Sequence, residues 1–260
     1  MLDSVIEIAR KAGDAILSVY GRDFATYEKK DESPLTEADL AAHEVIVAGL
    51  KRLTPEMPVL SEESANISWQ ERSQWTSYWL VDPLDGTKEF IKRNGEFTVN
   101  IALIVDNKPA MAVVYAPVLK LFYFADDQGA FKMAEGESPV SIKVADHHDD
   151  EIWNVVASRS HMSDETRDFV EKLGAAEMVS MGSSLKLCLV AEGKAHVYPR
   201  FALTSEWDTA AAQCVVEKAG GQVVTPDFEP LLYNTKEDML NPFFIVCGGS
   251  FEKIKKLSSE

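Results

Sequence analysis

A β meander in the first half and a strand–helix alternation in the second leave few folds open to this chain. Asn94-Gly95 is a turn signal, residues 97–105 and 110–115 read as strands of one sheet, and residues 121–124 and 130–132 continue it. Residues 134–150 are polar. Beyond them, strands are expected near residues 152–157, 178–180, 195–198, 222–224 and 243–247. Helices are expected near residues 164–173, 183–192 and 208–219, and at the C-terminus. The expectation is a mixed α/β (α+β) chain in two layered parts, residues 1–135 and 136–260. At roughly 150 residues per domain, 260 residues suit that division.

The first part opens with helical spacing at Val5, Ile6, Ala9, Ala12, Ile16, Leu17 and Tyr20, closed by Gly21. Lys29-Lys30-Asp31-Glu32-Ser33-Pro34 reads as a mobile loop. Thr36 then reads as the N-cap of a second helix with Leu40, His43, Val47 and Leu50 on one face. Val59-Leu60-Ser61-Glu62 and Tyr78-Trp79-Leu80-Val81 read as buried strands.

Charge excludes several partners. Lys and Arg number 26 against 42 Asp and Glu, a formal net charge of −16. Nucleic-acid polymers and anionic lipid surfaces are repelled by such a chain, which carries no basic stripe. An anionic small substrate would need a cation to offset the protein's field, and a metal is the economical one. No stretch approaches the roughly 18 apolar residues of a membrane span. Met1-Leu2-Asp3-Ser4 lacks a basic n-region, so no signal peptide is expected, and the chain reads as soluble and cytoplasmic. The three cysteines, Cys188, Cys214 and Cys247, have apolar neighbours and no CxxC spacing, so they read as buried free thiols.

The chemistry concentrates in Trp79-Leu80-Val81-Asp82-Pro83-Leu84-Asp85-Gly86-Thr87. A buried strand delivers Asp82, Pro83 is expected to force a turn, and Asp85 follows three residues later, so the two carboxylates can converge. Gly86 allows close backbone approach, and Thr87 starts a short helix whose free N–H groups suit a phosphate. Carboxylates beside a phosphate-binding turn are what a Mg²⁺ phosphoryl-transfer site requires. Three further acids are candidates: Glu62 at a strand end, Asp208 as an N-cap at a helix start, and Asp39 on the first turn of the second helix. Two carboxylates about 4 Å apart repel by roughly 4 kcal/mol at an effective dielectric near 20. Five such acids in one pocket would therefore need cations, and two or three Mg²⁺ would bring it near neutrality.

Val81-Asp82-Pro83-Leu84-Asp85-Gly86-Thr87 together with Trp207-Asp208-Thr209-Ala210-Ala211 resembles the paired signatures of the inositol monophosphatase superfamily, the Mg²⁺-dependent, lithium-sensitive phosphatases. Leu60-Ser61-Glu62-Glu63, the run from Asp82 to Phe97, Ala157-Ser158-Arg159-Ser160-His161 and Gly182-Ser183-Ser184-Leu185-Lys186 look like its bacterial 3'(2'),5'-bisphosphate nucleotidases. The resemblance implies a layered αβαβα sandwich of the inositol monophosphatase and sugar phosphatase fold, with the site between its halves. It implies hydrolysis of adenosine 3',5'-bisphosphate to AMP and phosphate, in the context of sulfate assimilation. Position by position, Glu62, Asp82 and the Leu84 carbonyl would hold one Mg²⁺, and Asp82, Asp85 and Asp208 a second. Asp39 with Glu62 would position a third ion or its water. Gly86 and Thr87 would hold the phosphate, and the Thr87 hydroxyl, bonded towards Asp39, would orient the attacking water. Substrate contacts would come from these residues and from Ser158, His161, Gly182, Ser183, Lys186 and Arg200, with the 5'-phosphate at the helix start near Ser183.

Two other readings compete. An inositol or sugar monophosphatase would use the same metal core without a 5'-phosphate pocket. A non-catalytic cation-binding protein would have no use for the Gly86-Thr87 turn. Monomer and dimer are both open, and the acidic composition gives no driving force for contact with the cytoplasmic face of the inner membrane.

Overall fold

The computed structural model describes residues 1–28, 34–157 and 163–259. Residues 29–33 of the expected mobile loop, and Ser158, Arg159 and His161, lie outside the described residues; Pro34 lies in a strand. The apolar spacing of the first helix turns one stripe of α1 (Leu2–Tyr20) inward through Val5, Ile6, Ala9, Ala12 and Ile16. A hairpin not anticipated from the sequence, β1 (Thr26–Glu28) with β2 (Pro34–Thr36), leads into α2 (Glu37–Leu53). The buried face of α2 is Ala38, Ala42, Ile46, Gly49 and Leu50, whereas Leu40, expected inside, is exposed. Small residues face α1 because the two helices press close: a Cβ on Gly49 would stand 2.7 Å from Ile8 Cγ1.

Next come β3 (Val59–Ser61), a 3-10 turn (Glu62–Ser64), the short helix α3 (Trp69–Arg72), β4 (Ser77–Asp85) and α4 (Thr87–Ile91). The meander follows as β5 (Thr98–Val105), β6 (Lys108–Ala116), β7 (Leu121–Asp126), β8 (Gly129–Ala134) and β9 (Val140–Ser141). Among the described residues β3 to β9 lie side by side in chain order in a seven-stranded sheet, parallel at β3–β4 and antiparallel elsewhere. The polar stretch thus begins inside this sheet, since β9 pairs with β8.

The alternating part is β10 (Trp153–Ala157), α5 (Asp164–Leu173), β11 (Ala176–Ser180), α6 (Leu185–Ala191), β12 (Val197–Arg200), α7 (Glu206–Lys218), β13 (Gln222–Val224), β14 (Phe244–Cys247) and α8 (Phe251–Ser259). Its strands form a five-stranded sheet in the order β11-β10-β12-β14-β13 among the described residues. Strands β10, β11 and β12 run parallel, and β14 runs against both neighbours.

The layers stack as αβαβα. Helices α1 and α2 cover one face of the larger sheet, and α6 and α7 fill the space between the sheets. Helices α5 and α8 cover the far side of the smaller sheet, where they pack on one another. Strand periodicity builds this: Val99, Ile101 and Leu103 of β5 face α1 and α2, while Ala102 and Ile104 face the central helices. The central layer is the largest core cluster and includes Cys188 and Cys214; with Cys247 they are buried free cysteines.

Candidate active site

In a regular strand, residues three apart point to opposite faces, so Asp82 and Asp85 could not meet. Strand β4 solves this with a bulge. Asp82 is opposite Asn100 and Asp85 is opposite Thr98, so three steps on β4 match two on β5. The extra residue falls at Pro83-Leu84, where proline has no N–H to give the ladder. The expected turn at Pro83 is thus a bulge inside a strand that runs on to Asp85. Asp82 Oδ1 accepts from the Leu84 N–H at 3.0 Å, which fixes the bulge. Gly86 follows at φ 93°, the left-handed region, with room for a Cβ only 3.3 Å from Phe97 Cβ, and caps α4.

Asp39 and Asp208 are placed alike, each as the third residue of a helix in a capping box. Thr36 caps α2, and its N–H and hydroxyl both donate to Asp39 Oδ2, at 2.8 and 2.6 Å. Ser205 caps α7, and its N–H donates to Asp208 Oδ2 at 2.8 Å. Asp208 is therefore not itself the N-cap, because α7 begins two residues earlier than its apolar pattern suggests. Glu62 likewise starts the 3-10 turn instead of ending β3, and is half-buried beside Asp82.

One carboxylate oxygen from each of Asp82, Asp85 and Asp208 lies within 4.8 Å of the others. The Glu62 carboxyl is within hydrogen-bonding reach of Asp82. Burial, and then the charges of Glu62, Asp85 and Asp208, push the Asp82 carboxyl well above the usual carboxylate range. Burial, and then the Asp85 charge, push Asp208 to about 8, against the opposing pull of the Ser205 N–H. At this spacing each ionised pair repels by about 3 kcal/mol at an effective dielectric of 20. Hard oxygen donors, buried and mutually repelling, are a donor set that suits a divalent cation of the Mg²⁺ or Ca²⁺ type. Asp39 joins them through Thr87, whose hydroxyl lies 3.2 Å from Asp39 Oδ1 and 3.5 Å from the Leu84 carbonyl.

A cleft of about 470 Å³ opens beside this cluster, lined by Asp85, Gly86, Ser183, Lys186, Arg200 and Asp208 among others. Burial draws the Lys186 ammonium below its usual range, and the Asp85 charge holds it up. Arg200 is paired with the Tyr198 hydroxyl, and its Nε is buried with no hydrogen-bond partner among the described residues. Gly182 sits where a Cβ would be 2.6 Å from the Glu96 carbonyl, so the chain can pass between the halves only without a side chain there. Ser184, not Ser183, is the N-cap of α6, and both serines direct their donors at Asp85.

Those serines lead to two residues that the motifs passed over. Thr98 Oγ1 is 2.6 Å from Ser183 Oγ, and Asn100 Nδ2 donates to Ser184 Oγ at 2.8 Å. The signal was present in the sequence: Thr98 and Asn100 are polar, two apart, in the otherwise apolar run Thr98-Val99-Asn100-Ile101-Ala102-Leu103-Ile104-Val105.

The fold and its acidic cleft define a layered α/β protein of the monophosphatase type. An IMPase from Thermotoga maritima superposes with a TM-score of 0.80 at 25% identity, covering 99% of this chain and 96% of that one. The chain belongs to the inositol monophosphatase family, whose model matches residues 1–243. Within it, a 3'(2'),5'-bisphosphate nucleotidase CysQ of Salmonella typhimurium is 52% identical over 95% of this chain and 99% of its own. The crystal structure of CysQ from Bacteroides thetaiotaomicron is 47% identical with a TM-score of 0.82, covering 95% of this chain and 97% of that one.

Proposed function

We propose that this protein is a Mg²⁺-dependent phosphatase that removes the 3'-phosphate of adenosine 3',5'-bisphosphate, giving AMP and inorganic phosphate. The observation that carries this is the meeting of Asp82, Asp85 and Asp208 at the wall of a cleft that also holds Lys186 and Arg200. Acids alone would repel a phosphate; cations beside them suit a substrate with a second phosphate. The name of the Salmonella typhimurium relative, a 3'(2'),5'-bisphosphate nucleotidase, supports a substrate of this class.

Glu62, Asp82, Asp85, Asp208 and the Leu84 carbonyl would hold two or three Mg²⁺. Bound there, the ions supply Lewis-acid polarisation of the phosphoryl group and acidify a water molecule. The protein's residues do the rest. Asp39 Oδ2 accepts two bonds from Thr36, and Asp39 Oδ1 faces the Thr87 hydroxyl. Donating its hydrogen bond to Asp39, that hydroxyl offers its lone pairs to a water and orients it, and as it takes the water's proton its own passes to the carboxylate. The N–H groups of Gly86 and Thr87 hold the transferred phosphate, and Lys186 and Arg200 take the 5'-phosphate, with Gly182 and Ser183 beside it. Ser158 and His161 remain substrate-contact expectations outside the described residues.

This reading carries a role in sulfate assimilation, where the nucleotide is a by-product, and work in the cytoplasm. Among the described residues no helix is long and apolar enough to cross a membrane. Phosphate release from adenosine 3',5'-bisphosphate and from inositol 1-phosphate, with and without Mg²⁺ and with Li⁺ at low Mg²⁺, is the test. A preference for the nucleotide with Li⁺ inhibition supports the proposal. Equal turnover of both substrates supports the inositol or sugar monophosphatase reading instead, and release indifferent to Mg²⁺ removes both.

A further inference from the structure

The inward face of β5 is apolar at Ala102 and Ile104, yet carries two buried polar side chains, Thr98 and Asn100, at its end nearest the acids. Burying two polar side chains is costly unless they are bonded; here Thr98 Oγ1 lies 3.0 Å from Asn100 Oδ1, and their other bonds lead towards Asp85. Asp85 Oδ2 accepts from the Ser183 hydroxyl at 2.5 Å, the Ser184 N–H at 2.6 Å and the Ser184 hydroxyl at 2.8 Å. Behind the serines stand Thr98, 2.6 Å from Ser183 Oγ, and Asn100, whose Nδ2 donates to Ser184 Oγ.

A carboxylate only accepts, so the Ser183 hydroxyl donates to Asp85 Oδ2, and the Thr98 proton is shared between Ser183 Oγ at 2.6 Å and Asn100 Oδ1 at 3.0 Å. Ser184 Oγ accepts from Asn100, which leaves its own proton to Asp85 Oδ2 or to the Asp208 carbonyl at 2.7 Å. That one hydroxyl thus lies between the strand carrying Asp85 and the helix carrying Asp208, its single proton shared by two acceptors. Ser183 is held at φ 54°, a left-handed conformation unfavourable for a residue with a Cβ, and such strain persists where surrounding bonds over-determine it.

We propose that Thr98 and Asn100 are positioning residues for the metal site, acting through Ser183 and Ser184 to lock Asp85 Oδ2 and to set its spacing from Asp208. This rests on the reading of Asp82, Asp85 and Asp208 as ligands. Hydrogen-bond partners behind metal ligands are worth roughly tenfold to a hundredfold in metal affinity.

The test is Mn²⁺ binding to the metal-free, full-length protein, followed by titration calorimetry, with thermal unfolding in EDTA reporting the fold. Asn100→Ala and Thr98→Val are expected to weaken Mn²⁺ binding by about tenfold or more. Thr98→Ser, which keeps the hydroxyl, retains wild-type affinity. Saturating Mn²⁺ restores much of the kcat of the weakened variants. If Asn100→Ala does not fold, Thr98→Val against Thr98→Ser decides, because valine replaces the hydroxyl with a methyl of the same shape. Folded variants that bind Mn²⁺ as wild type does overturn the proposal. A wild-type protein that binds no Mn²⁺ overturns the ligand reading and this proposal with it.

Discussion

The Thr87 hydroxyl lies 3.2 Å from Asp39 Oδ1, joining the first turn of α4 to the first turn of α2. Both residues are held before any substrate arrives: Thr87 by the glycine cap before it, and Asp39 by Thr36.

If that hydroxyl carries a proton relay, Thr87→Val should lower kcat by roughly a hundredfold or more and Thr87→Ser should keep most of it. Asp39→Asn should match Thr87→Val in kcat with KM little changed. A Thr87→Val enzyme turning over at the wild-type rate would exclude the residue from the reaction.

Stability and activity should part company at the acids. Asp208→Asn keeps an oxygen for the Ser205 N–H and removes a buried charge facing Asp85. Its melting temperature in EDTA at alkaline pH should rise, while hydrolysis in Mg²⁺ falls by roughly a hundredfold. Asp85→Asn should abolish hydrolysis and leave the fold intact by circular dichroism. Full activity in either variant contradicts the ligand assignment.

The metal-free protein should grow less stable as pH rises. Asp208, with a folded pKa of about 8, and Asp82, also raised, bind protons more tightly folded than unfolded. Their contribution is fully present below the usual carboxylate range near 4 and is lost as pH climbs through about 8. Thermal unfolding in EDTA should therefore show a falling melting temperature from pH 5.5 to 8.5. Mg²⁺ should reverse the trend, since the ion binds the deprotonated carboxylates and displaces protons. A slope unchanged by Mg²⁺ would contradict this account.

Arg200 and Lys186 should govern substrate choice and not chemistry. Arg200→Leu is expected to raise KM for adenosine 3',5'-bisphosphate by roughly tenfold or more, the value of one charged hydrogen bond. Inositol 1-phosphate, which lacks the second phosphate, should be little affected. Equal loss on both substrates would move Arg200 from recognition to the structure of the cleft.

Much of this was legible beforehand because local rules governed it. The strands of the meander were legible as apolar runs and Thr36 as the cap before a helical pattern, whereas Asn94-Gly95 closes no hairpin and lies between α4 and β5. The capping box at Ser205 and Asp208 was passed over: Asp208, a favoured N-cap residue, was read as the cap itself. The bulge at Pro83-Leu84 was not legible, since a proline between two acids suits a turn as well as a bulge, and only pairing with β5 decides. Nor was the exposed Leu40, whose place was set by how closely α1 approaches Gly49. Thr98 and Asn100 are polar positions in an apolar run, but what they serve was not legible, because their partners at 183 and 184 come from the other half of the molecule.

The extra residue in β4 makes the acidic centre a matter of counting as much as of chemistry. A β4 paired three regular steps against three would leave all five acids in the chain, yet it would turn Asp85 towards α1 and α2 and leave Ser183 and Ser184 without their acceptor. A search for distant kin by acidic residues alone would accept that unbulged chain. A search that also demanded three steps against two between paired strands would reject it.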